Sequence, residues 1–148
     1  MLKKVITYTN FDGNEVTEEM FFNLTAVELT KLQARLGMPI DEYASKCAKS
    51  LDLKKMLDFI EIMVLESFGR KSDDGKRFMK GPEVKSEFEY SAAYAEIFEE
   101  LLTKPGQAQA FGEGLVQGAK PTAPNQEAAQ LLAAQKAKQQ SNITSLTE

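Results

Sequence analysis

Between Leu53 and Phe68 the chain reads "LKKMLDFIEIMVLESF", and this stretch constrains the fold most. Leu53, Met56, Leu57, Ile60, Met63, Val64 and Phe68 recur at the i, i+3, i+4, i+7 spacing that lines up one face of an α-helix. Ser50 and Asp52 stand just ahead of it, where side-chain oxygens can accept from free N–H groups of a first turn. Phe59, Ile62 and Leu65 fall outside that face, and from Phe59 to Phe68 only Glu61, Glu66 and Ser67 are polar. So wide an apolar arc exceeds what one neighbour can cover. Two readings follow. Either the helix is central and covered on two sides, by other helices and by a sheet element, or its outer residues Phe59, Ile62 and Leu65 receive a partner.

The elements that would cover it are legible on both sides. "KKVITYT", Lys3 to Thr9, and "EVTEEMFF", Glu15 to Phe22, alternate in polarity and are rich in β-branched and aromatic residues, with the turn signal Asp12-Gly13 between them. This predicts a β-hairpin over about 3–22, which must pack on something because an isolated hairpin is marginal in water. Thr25 with Glu28 three residues on forms a capping box, so a first helix starts near Ala26, with Leu29, Leu32 and Leu36 on one face and Gly37 as its stop. A short helix from Asp41 to Lys49 groups Tyr43, Ala44, Cys47 and Ala48. Pro82 suits a first helical turn, Tyr94, Ile97, Phe98 and Leu101 share a face of the next helix, and a last helix over about 107–117 carries Phe111 and Leu115 but is weakened by Gly112 and Gly114. The expected fold is mainly α with a small N-terminal β-hairpin, an α+β arrangement: a helical domain over 1–117 and an Ala/Gln-rich tail over 118–148 that is disordered or helical only when docked. The tail lacks Phe, Tyr and Met, and its one apolar patch is Leu131 and Leu132.

Composition narrows the chemistry. The chain has no histidine, which removes the usual general base near neutral pH and the commonest metal ligand. Cys47 is the single cysteine and reads as a small core residue in a reducing compartment. Net charge is −4, with basic residues interleaved among acids, so no concentrated footprint for nucleic acid stands out. The longest unbroken apolar run, Ile62 to Leu65, is far below the roughly 20 residues of a membrane span, and the N-terminus has no secretory core. We therefore expect no catalytic, cofactor or metal site, no nucleic acid or membrane partner, and a cytoplasmic protein.

"FGRKSDDGKRFMK", Phe68 to Lys80, is the stretch most like an active-site loop. It fails as a phosphate loop because a helix precedes it and Arg77 stands where Ser or Thr should follow Gly75-Lys76. It fails as a calcium loop because its carboxylates lie side by side and are followed by cations. The expected role is structural: a helix C-cap at Gly69, a turn in which Asp73 or Asp74 bonds the backbone, and a positive φ at Gly75.

These same residues carry a family resemblance. "ITYTNFDGNEVTEEMFFNLTAVELTKLQ" followed by "ESFGRKSDDGKRFMKGPEVKSEFEYSAAYAEIFEELLT" resembles the tail assembly chaperones of long-tailed phages and prophages of Gram-positive bacteria. The likeness runs from about Lys3 to Leu115. It is most specific at Gly69, Lys71, Ser72, Asp73, Asp74, Gly75, Arg77 and Phe78, with Tyr94, Phe98 and Leu101 in support. It implies a non-catalytic assembly factor of the infected cell that coats the helical tape measure protein, helps recruit tail tube protein, and is absent from the finished virion. It further implies a frameshifted longer form that contacts the tube protein, and self-association is a compatible property. Client contact is expected at Phe59, Ile62 and Leu65, with Leu131 and Leu132 second. The alternative is a structural virion protein of the tail or head-tail joint. An enzyme or nucleotide binder built on the Phe68 to Lys80 loop is a distant third.

Overall fold

A computed structural model of the chain describes residues 1–119 together with Leu131 and Ala134. Strands β1 (Leu2–Thr9) and β2 (Glu15–Phe22) pair antiparallel over their full length, Leu2 opposite Phe22 and Thr9 opposite Glu15. The turn closes on Asn10, whose side-chain oxygen accepts from the N–H groups of Asp12 and Asn14, and on Gly13 at φ 84°. Helix α1 (Ala26–Leu36) begins at the reciprocal capping box of Thr25 and Glu28 and ends at Gly37 in the left-handed region, both as the sequence predicts.

Helices α2 (Ile40–Ser50) and α3 (Leu53–Ser67) follow, the latter capped by Asp52, whose carboxylate accepts from the N–H groups of Lys54 and Lys55. After α3 the structure departs from expectation. The helix ends at Ser67, and the chain continues directly as strand β3 (Phe68–Lys71), which turns back into β4 (Phe78–Met79). Gly69 is thus a strand residue rather than a helix cap, and the loop joins two strands instead of turning between helices. Because β3 also pairs with the end of β2, Phe22 opposite Phe68, the expected hairpin is part of a four-stranded antiparallel sheet in the order β1-β2-β3-β4. This pairing is non-local, which is why a local reading of "FGRK" missed it.

Helices α4 (Pro82–Glu89), α5 (Ala92–Thr103) and α6 (Gln107–Ala119) complete the described chain. α5 and α6 lie on β1, α3 packs against both, and α2 covers α3 and α6. α3 is therefore flanked by three helices, which accounts for its wide apolar arc. Ile60, Met63 and Val64 are fully buried in this layer. Two residues correct the sequence reading of α3: Leu53, expected in the core, is 64% exposed in the first turn, and Phe59, expected to face outward, is 2% exposed because α2 brings Tyr43 against its ring at 5.4 Å.

Under the sheet the core is aromatic. Phe22 meets Phe68, Phe88 and Phe111 edge to face at 5.7, 6.1 and 5.2 Å, and Phe68 stacks on Phe88 at 3.8 Å. Tyr94 continues the row to Phe98, and burial, with Glu61 and Glu89 adding to it, pushes its phenol up to about 12. No helix among the described residues is long and apolar enough to cross a membrane. α6 ends two residues beyond the boundary expected at 117; the expected tail of 118–148 lies, but for Gly118, Ala119, Leu131 and Ala134, outside the described residues.

Candidate functional site

The loop between β3 and β4 is closed by its own atoms. The Ser72 N–H donates to the Arg77 carbonyl at 2.9 Å, and the Arg77 N–H donates back to the Ser72 hydroxyl oxygen at 3.0 Å. That hydroxyl in turn donates to Asp74 Oδ1 at 2.6 Å, and the same oxygen accepts from the Lys76 N–H at 3.0 Å. The hydrogen bond from Ser72 first, then that of the Lys76 backbone, holds the Asp74 carboxyl below its ordinary value. Gly75 turns the chain at φ 71° while its N–H donates to the Ser72 carbonyl. Both the turn and the positive φ follow the sequence reading, with Asp74 rather than Asp73 as the acceptor. Gly69 has a different reason: a Cβ there would stand 2.6 Å from the ring of Phe78, which crosses over it from β4. The Ser72 hydroxyl and the Asp74 carboxylate are thus both engaged within the turn itself.

Lys80, just beyond β4, carries the loop back to the body. Its ammonium donates to the Asn23 carbonyl at 2.5 Å, to Glu28 Oε2 at 2.6 Å and to the Glu66 carbonyl at 3.0 Å. Burial raises the Glu28 carboxyl, but the hydrogen bonds from Lys80 and Thr25 outweigh it and leave the group below its ordinary value. One cation thus ties the ends of β2 and α3 to the start of α1.

A second, wider concavity lies among the helices, away from this loop. α2 presents Ile40, Ala44 and Ala48, spaced four apart and so on one stripe, and α6 presents Ala108, Gly112 and Val116 at the same spacing. Between these stripes of mainly small side chains a groove of about 880 Å³ remains open, with Met56 and Phe59 of α3 lining it and the α5–α6 corner from Leu101 to Gly106 closing it. Gly112 lets α6 sit close on α3: a Cβ there would stand 3.3 Å from the buried Met63 sulfur. Leu102, 39% exposed, contributes apolar surface at the corner, and Asp41, Lys49, Lys104 and Glu113 add charge among the lining residues. A groove this size, apolar within and charged in places, suits the apolar face of a helix.

The residues named from sequence are dispersed. Phe59 lines this groove but is itself core. Ile62 and Leu65 are half-buried against the core and do not line the groove. Leu131 is helical and 72% exposed, and Leu132 lies outside the described residues. Cys47 is buried, its thiol bonding the Lys55 carbonyl, and burial pushes its pKa up. Among the described residues no three of His, Cys, Asp and Glu stand together as metal ligands would. The groove itself was missed because it belongs to two helices remote in sequence; the signal was the i, i+4 recurrence of small residues, Ala44 with Ala48 and Ala108 with Gly112.

Residues 1–145 match the family described as phage tail assembly chaperone, so the match extends through the Ala/Gln-rich segment as well as the folded part. Neither curated proteins nor solved structures give a match.

Proposed function

We propose that this chain, which belongs to the phage tail assembly chaperone family, binds a helical segment of the tape measure protein in the groove between α2 and α6. The role is non-catalytic: cover the apolar face of a long helical client, keep it soluble, and present it for the arrival of tail tube subunits. The observation that supports this is the groove of about 880 Å³, lined by Ala44, Ala48, Met56, Ala108 and Val116 on helices fixed to a packed core. A client helix would enter by apolar residues at i, i+3, i+4 and i+7. Methionine at the floor suits varied client side chains, because its unbranched thioether adapts to irregular shapes.

Ile62 and Leu65 form a second candidate surface on α3, and Leu131 with Leu132 a further contact beyond α6. The protein acts in the host cytoplasm and leaves before the particle is complete, so purified virions should lack it. The discriminating experiment is capture of tape measure protein by the full-length chain. Ala48→Glu and Leu102→Glu each place a carboxylate in the groove at an exposed position and should abolish capture with the melting temperature unchanged. Ile62→Ser with Leu65→Ser should leave most of it. Capture that survives the groove variants and fails in the Ile62/Leu65 variant would move the site to α3.

A further inference from the structure

We propose that the corner between α2 and α3 is a docking point for an acidic protein segment bearing apolar side chains. Leu51 and Leu53 enter that partner, and Lys46, Lys49, Lys54 and Lys55 face its carboxylates. The site is separate from the groove, which neither leucine lines. The first ground is a comparison of two helix ends. α1 stops at Gly37 with φ 77°, a left-handed turn that glycine takes freely. α2 stops in the same conformation at Leu51, φ 53° and ψ 26°, where a Cβ crowds the following carbonyl. Among the described residues no other non-glycine residue has a positive φ. Burial can offset such strain, yet Leu51 is 93% exposed, and Leu53, two residues on, is 64% exposed. Packing within the described chain leaves the strain uncompensated, which points to a contact outside it.

The second ground is charge. Four lysines stand among the ten residues 46–55 of a chain whose net charge is −4. All four are exposed, and none enters an ion pair among the described residues, whereas cations elsewhere do, Arg70 with Glu87 and Lys80 with Glu28 among them. The one acid inside this run, Asp52, has its carboxylate committed to the N–H groups of Lys54 and Lys55. Lys46 and Lys49 are three apart on α2 and share a face, while Lys54 and Lys55 lie in the first turn of α3. Cations therefore flank the two leucines on both sides. An exposed apolar pair set among unneutralised cations is complementary to a segment that carries carboxylates around an apolar stripe. The charges steer such a segment in, and the leucines fix it there.

The test uses the full-length chain and two fluorescein-labelled helical heptad peptides, one of glutamate and leucine, the other with glutamine for every glutamate, read by anisotropy. The glutamate peptide should bind about tenfold more tightly than the glutamine one, and less so as salt rises. Leu51→Asn with Leu53→Asn should weaken its binding about tenfold. Leu51→Asn alone should melt at or above the wild-type temperature, since asparagine tolerates the left-handed turn. Lys49→Glu with Lys54→Glu should weaken binding similarly, and Lys76→Glu, in the β3–β4 loop, should not. Equal affinity for the two peptides, or no loss in the leucine variant, overturns the proposal. So does a lower melting temperature in Leu51→Asn, which makes that leucine part of the fold. Three other outcomes also overturn it: loss of peptide binding in Leu102→Glu assigns the peptide to the groove; a dimer in sedimentation that the leucine variant breaks assigns the corner to a second copy; and pelleting with phosphatidylglycerol vesicles, lost in that variant and without peptide binding, assigns it to a membrane. Capture of tape measure protein by the groove is measured separately, so either site can fail alone.

Discussion

The two sides of the helical layer are built from opposite materials. Toward the sheet, Phe22, Phe68, Phe88 and Phe111 fill the space with interlocked rings, and Phe22 has no exposed surface. Away from it, α2 and α6 face each other through alanine and glycine and leave about 880 Å³ open. Large side chains make a side that specifies the fold; small ones make a side that leaves room for something else. Stability and recognition should therefore separate cleanly by mutation.

The largest break is expected at Phe22→Ala, which removes the ring shared by three others and should cost about 3–5 kcal/mol, read as a fall in the denaturant midpoint with little change in slope. Lys80→Met comes next. It leaves two backbone carbonyls and Glu28 without their cation, and about 1–3 kcal/mol should be lost. This variant also carries a pH signature. The Glu28 carboxyl titrates below its ordinary value when folded, so its contribution is present above the unfolded pKa and disappears as pH falls through the folded one. Acid titrations of stability should be shallower in Lys80→Met than in the wild type.

Gly75→Ala forces a side chain into φ 71° and should cost about 1–2 kcal/mol, with client capture intact in the variant that remains folded. At the alkaline end, Tyr94 is held neutral to about 12, so its contribution is present below the unfolded value and is lost as pH rises toward 12; Tyr94→Phe should flatten that limb in a pH melt. The smallest effect on stability belongs to the groove. Ala48→Glu should stay within about 0.5 kcal/mol by denaturation while abolishing capture, and a large loss of stability there would erase the contrast between the two sides.

How far the sequence revealed this division depends on the range of the interactions. The Thr25–Glu28 box, the Gly37 stop, the Asp52 cap and the positive φ at Gly75 are decided within a few residues and were legible. The stripe of α3 was legible too, but not its limits: Leu53 lies in a first turn with nothing over it, and Phe59 is buried only because α2 folds back onto α3. β3 and β4 are only four and two residues long, and β3 ends in Arg70-Lys71; neither gives a local strand signal, and the sheet extends to them because Phe68 pairs with Phe22. The groove was hidden for the same reason, since residues 51–106 lie between α2 and α6 and neither helix looks apolar enough alone. The β3–β4 loop was the reverse case, conspicuous in sequence and occupied in space with its own hydrogen bonds.

Lys80 has a consequence for the order in which a nascent chain can settle. It reaches back 57 residues to Asn23 and 52 to Glu28, and β2 gains its outer neighbour only when Phe68 arrives. On the ribosome, synthesis at about 5–20 residues per second leaves the first hairpin waiting several seconds for these partners. Through that interval Phe22 stays uncovered. A chain stalled before Phe68 clears the exit tunnel should thus be cut by protease near β2, and one stalled after α6 has emerged should resist: the assembly factor itself is born in need of shelter.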